Sequence, residues 1–75
     1  MNWYQTTRTR HHGIMKDPTG KRGNLCLTAN DNGIWAVSYS KEGRVVFWHS
    51  DDHGANARDM EGAKDAALNF VKGLK

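Results

Sequence analysis

The sequence predicts an α+β domain: a three- or four-stranded antiparallel β-meander with one C-terminal α-helix packed on one of its faces. Three observations carry that expectation. Apolar residues alternate at period two through residues 24–49. The two connecting loops have the odd length that keeps those residues on one face. From about residue 57 the apolar period changes to that of a helix.

The first strand candidate, Trp3-Tyr4-Gln5-Thr6-Thr7-Arg8, has aromatic and β-branched content. Residues 10–23 read as a loop, because His11-His12-Gly13 and Asp17-Pro18-Thr19-Gly20-Lys21-Arg22-Gly23 hold dense turn chemistry and the only proline. Three strand candidates follow, over 24–29, 34–40 and 44–49. Leu25, Leu27 and Ala29 alternate on the first, Trp35, Val37 and Tyr39 on the second, and Val45, Phe47 and His49 on the third. Three-residue loops, Asp31-Asn32-Gly33 and Lys41-Glu42-Gly43, put all three sets on one face. Each is the form in which a type I turn is followed by a left-handed glycine.

The helix is expected over 57–72. Met60, Ala63, Ala67, Phe70, Val71 and Leu74 form its apolar stripe, and Glu61, Asp65, Asn69 and Lys72 its wet face. Asn56 is the expected cap, Asp59 lies near the positive helix end, and Gly73 ends it. The single domain, 1–75, thus divides into a basic strand and loop segment (1–23), a meander (24–50) and a helix with its caps (56–73).

The chain is short, 75 residues, and allows one small core; a fold of this size buries roughly 60% of its unfolded surface. No apolar stretch approaches the ~20 residues of a spanning helix, so no membrane partner is expected. The opening residues lack the layout of a secretory leader, and the lone Cys26 favours a reducing compartment, so the expected location is cytoplasmic. Mean hydropathy is −0.80, yet three Trp, two Tyr and two Phe argue for a folded chain. Formal net charge is +3 and unevenly spread: residues 1–22 carry Arg8, Arg10, Lys16, Lys21 and Arg22 against Asp17 alone. A basic third on a small domain suits a polyanion or an acidic protein surface.

The strand pattern leaves the other sheet face to Asn24, Cys26, Thr28, Ile34, Ala36, Ser38, Ser40, Arg44, Val46 and Trp48. Either this face is a contact surface centred on Trp48 and Arg44, or Trp3, Tyr4 or the long loop folds over it. Constellations for chemistry are weak. His49 and His53 flank two aspartates at a spacing zinc could use, with Cys26, His11 or His12 as further ligands. Structural zinc sites, however, draw on cysteine pairs, so no metal or other cofactor is expected. His11-His12, Pro18 and Asn24-Leu25 superficially resemble an HNH nuclease motif over about 15 residues, but the distal metal-ligand helix has no counterpart. No serine stands in a nucleophile elbow, and no helix follows the glycines to make a phosphate loop. No catalytic residue is expected.

Residues 32–39, then Gly43-Arg44-Val45-Val46-Phe47-Trp48 and Met60-Glu61-Gly62-Ala63-Lys64-Asp65-Ala66-Ala67, resemble the three-stranded-sheet-plus-helix DNA-binding domains of phage integrase arms and plant ethylene-response factors. In those domains the sheet face away from the helix enters the DNA major groove. The resemblance implies DNA contacts by Arg44 and Trp48, with Ser38 or Thr28 reaching phosphates or base edges and Arg8, Arg10, Lys21 and Arg22 supplying phosphate contacts. This chain departs from the family in having Arg44 nearly alone among long cations on that face. In size and pattern it also resembles small bacteriophage accessory proteins, among them anti-CRISPR inhibitors. Ala63-Lys64-Asp65-Ala66-Ala67 resembles the helix of double-stranded RNA-binding domains without its preceding basic run. The expected function is a non-catalytic phage or mobile-element module that binds DNA or a nucleic-acid-handling complex. The alternative is an inhibitor that occupies the surface of a host defence complex.

Overall fold

A computed structural model describes residues 2–51 and 59–74, with side chains described for 2–46 and 59–74. It is an α+β fold, with five antiparallel strands in chain order followed by one helix: β1 (Trp3–Thr7), β2 (Arg10–Lys16), β3 (Asn24–Asn30), β4 (Trp35–Lys41), β5 (Arg44–Asp51) and α1 (Met60–Lys72). Residues 3–7 pair as the extra strand at one edge of the sheet. The region read as a loop over 10–23 is corrected in its first half. Residues 10–16 form β2, in unbroken register with β3 from Arg10↔Asn30 to Lys16↔Asn24. The two histidines and Gly13 conceal a period-two pattern in which Gly13 is buried and Met15 packs against the core. Only residues 17–23 connect the strands.

The core lies between α1 and the centre of the sheet. Leu25, Leu27 and Ala29 from β3, Trp35 and Val37 from β4, and Ala63, Ala67 and Val71 from α1 form one buried cluster. Small residues on α1 let it approach the sheet closely, and the Trp35 and Phe70 rings fill the space beside them, their centroids 5.6 Å apart. Trp3, Met15, Tyr39, Met60, Phe70 and Leu74 pack around the rim. Trp3 stands opposite Gly13, with the Lys64 ammonium 5.5 Å from its ring centroid. Trp3 therefore completes the helix side and does not cover the opposite face.

Two helix expectations change. Asp59, not Asn56, caps the helix: its backbone is extended and its carboxylate accepts the Gly62 amide at 2.8 Å. The helix therefore begins at Met60; Asn56 lies outside the described residues. At the other end Gly73 is right-handed (φ −86°), and its amide donates to Asn69 and Phe70 carbonyls.

The first hairpin turn matches its expected form. The Asn30 amide donates to the Ile34 carbonyl (2.9 Å) and the Gly33 amide to the Asn30 carbonyl (3.0 Å), with Gly33 at φ +91°. The second turn is shorter than expected. Lys41 pairs with Arg44, leaving a two-residue turn, Glu42-Gly43, with both φ positive (54° and 78°) as in a type I′ turn. An even loop alone would have reversed β5. A bulge restores the parity, since Tyr39 pairs with Phe47 while Ser40 pairs with Val45, leaving Val46 as the extra residue. Phe47 and His49 keep the expected row. Val45 instead stands opposite Ser40, and Arg44 opposite Lys41, in the row of Trp35, Val37 and Tyr39.

Glu42 is the only described non-glycine residue with positive φ. Asn tolerates that region better, so Glu42→Asn is expected to raise stability by roughly 0.5–1 kcal/mol, measured by denaturant unfolding.

Candidate nucleic-acid interface

The sheet face away from α1 is built from alternate residues of four strands. Tyr4 stands opposite His12, and His12 opposite Thr28. Ile14 faces Cys26, Cys26 faces Ser38, and Thr28 faces Ala36. The middle of this surface is thus a floor of short side chains, with Cys26, Thr28 and Ser38 half-buried and Ala36 buried. Its β1–β2 side carries larger groups: Tyr4 is 49% exposed and Ile14 55%. The Tyr4 and His12 ring centroids are 6.2 Å apart at a 42° tilt. Nδ1 of His12 lies 3.9 Å from the Cys26 sulfur, and burial pushes the Cys26 thiol up, away from the reactive thiolate. Cys26 therefore belongs to the surface as a thiol.

Cations bracket this row. Arg10 and Lys16 sit at the two ends of β2 in the same alternation as His12 and Ile14, and both are exposed. Six residue steps along the strand separate them by roughly 20 Å. Arg8 is exposed in the β1–β2 turn beside Arg10, whose Nε donates to Oδ1 of Asn30 at 3.1 Å. Lys21 is exposed in the 17–23 loop.

That loop is held by Asp17. Its carboxylate accepts from the Thr19 amide (2.8 Å), the Thr19 hydroxyl (2.7 Å) and the Arg22 guanidinium (3.1 Å), while its own amide donates to the Gly23 carbonyl (2.7 Å). Burial works against the ionised carboxylate, but the Thr19 and Arg22 partners prevail and hold Asp17 below the usual carboxylate range. A lowered folded-state value stabilises the fold above the unfolded-state value and loses that stabilisation as pH falls through the folded one. Asp17→Asn is therefore expected to melt lower than the unaltered chain at pH 7, with the difference shrinking below about pH 4. Thermal melts from pH 2 to 7 check it.

The expected binding residues thus divide. Arg8 and Arg10 stay exposed at the β1–β2 turn and Lys21 in the β2–β3 loop; Thr28 and Ser38 lie half-buried in the floor. Arg22 is engaged by Asp17 and fixes the loop. Arg44 is corrected: the two-residue turn pairs it with Lys41 and takes it off the helix-free row, to which Trp48 belongs by its pairing with Ser38. The side chains of Trp48 and His49, and all of His53, lie outside the described residues. Sequence reasoning missed Tyr4, His12, Ile14 and Lys16 as members of one surface. The alternation of Ile14 with Met15 was the signal, masked by the adjacent histidines and Gly13.

The helix side is mixed in charge, with Lys64 and Lys72 among its acids. Asp59, Glu61 and Asp65 lie on the helix or its cap, with Lys64 ion-paired to Glu61 at 3.6 Å. Asp31 and Glu42 lie in the hairpin turns, Asp17 directly follows β2, and Asp51 ends β5 opposite Trp35. Among the described residues no group of three or more His, Cys, Asp or Glu side chains could hold a metal ion, and no helix is long and apolar enough to cross a membrane. Comparison with protein-family models, curated proteins and solved structures finds no match for this chain.

Proposed function

We propose that this chain is a non-catalytic DNA-binding module that engages its ligand with the helix-free sheet face and the cations of the β1–β2 side. The observation that carries this reading is the placement of exposed cations at both ends of β2. Arg8 and Arg10 are exposed at one end and Lys16 and Lys21 at the other, while Glu61 and Asp65 are exposed on α1, across the sheet from the helix-free face. Asp17, the acid in the basic segment, is matched by Arg22. Four exposed cations around an open surface suit a phosphate chain, whose binding releases condensed counterions and weakens steeply with salt.

Fluorescence anisotropy with labelled DNA, titrated between about 50 and 200 mM salt, tests it. The expected result is binding whose log affinity falls linearly with log salt. Absence of binding at the lowest salt overturns the reading. A second reading, a protein-binding inhibitor, draws on the exposed Ile14 and Val45, the latter 60% exposed. It predicts a protein partner and no DNA affinity.

A further inference from the structure

Resting on the DNA-binding reading, we infer that the ligand of this face is single-stranded DNA, with the Tyr4 ring, set beside His12, as the platform on which an unpaired base stacks. Duplex DNA presents phosphates and base edges, and reading the edges in a groove ~8.5 Å deep takes long donors. The described part of this face offers few of them. Nε of Arg10 is taken by Asn30, leaving its terminal nitrogens at one end of β2, Lys16 stands at the other end, Arg44 is off the face, and Thr28 and Ser38 are short and half-buried. What it does offer is an aromatic ring about half exposed on an open sheet. Beside that ring lie the imidazole of His12 and, across the sheet, the short half-buried side chains of Cys26, Thr28 and Ser38.

A tyrosine ring contributes to binding when a base π-face is free to meet it, which requires a strand outside a duplex. Arg10 and Lys16 stand at either end of the strand that carries His12 and Ile14, so a backbone running along β2 meets a cation at each end while its bases lie over the rings. Charge complementarity selects a polyanion, and the exposed ring selects unpaired bases. Tyr4 lies on an edge strand and away from the buried cluster, so its replacement leaves the core intact.

The test compares a labelled thymidine strand of roughly 20 nucleotides with a duplex of equal length at one salt concentration, for the unaltered chain, Tyr4→Ala and Tyr4→Phe. The expected result is tighter binding of the single strand. Tyr4→Ala should weaken that binding by about 5- to 150-fold, as base–aromatic stacking contributes, with a much smaller loss for the duplex and with Tyr4→Phe close to the unaltered chain. Equal or tighter duplex binding, or single-strand affinity indifferent to Tyr4→Ala, overturns the inference and leaves the DNA-binding reading standing. Binding of neither probe overturns both.

Discussion

Leu27→Ala is expected to remove a large part of the stability of this domain. Leu27 is fully buried at the centre of the sheet, between Gly13 on β2 and Val37 on β4, and belongs to the cluster that α1 covers with Ala63, Ala67 and Val71. Truncating a buried leucine costs about 2–5 kcal/mol, through lost transfer energy and the cavity left behind. A 75-residue domain has in total about 4–11 kcal/mol to lose. The alanines on α1 leave the neighbours little freedom to collapse inward, which puts the cost toward the upper end. For a domain of this size each kcal/mol lowers Tm by roughly 4–8 °C, so a fall of at least about 10 °C is expected in a thermal melt. Ile14→Ala is the control. Its side chain is 55% exposed on the opposite face, and its replacement should move Tm far less.

The second large effect concerns binding. Replacing Arg8, Arg10 and Lys16 together with alanine removes three exposed cations beside one face without touching the core or the Asp17–Arg22 pair. Each phosphate contact to a single strand contributes about 0.7 to the slope of log affinity against log salt. The triple variant should therefore bind more weakly at low salt and lose about two units of slope. Removing the same number of cations from the helix side, Lys64 and Lys72 with the distant Lys41, should change the slope much less. Equal effects from the two triples would show that net charge rather than placement governs the affinity.

How far the sequence alone discloses this fold depends on which signal each segment carries. The meander from β3 to β5 and the apolar stripe of α1 are legible because periodicity and turn residues agree. Glu61, Asp65, Asn69 and Lys72 emerge on the exposed side of the helix as their spacing implies. β2 is not legible in the same way. Its buried positions hold Gly13 and the half-buried His11 and Met15, residues that carry little strand preference, and their burial comes from pairing with β1 and β3. The shorter second turn and the bulge at Val46 compensate each other. Loop parity gives the right register partners for Phe47 and His49, while the identity of the residues nearest the turn escapes it.

The site follows the same division. Arg8, Arg10 and Lys21 are visible as a charge cluster in the sequence, and the structure leaves them exposed but divides them between the two ends of β2. Arg22 looks equivalent to them in composition, yet the buried carboxylate of Asp17, five residues earlier, engages it. Tyr4 and His12 are eight residues apart and enter one surface through the β1–β2 pairing, a long-range fact that no local motif encodes.

The most direct test of the binding surface is amide chemical-shift mapping by NMR, with the labelled thymidine strand added to the isotopically labelled chain. The expected result is a continuous set of perturbed amides at Tyr4, Arg8, Arg10, His12, Ile14, Lys16 and Thr28, with Glu61, Asp65 and Asn69 on the far side of α1 unmoved. Perturbations centred on α1, or none at saturating strand concentration, would contradict the assignment of the helix-free face as the DNA-binding surface.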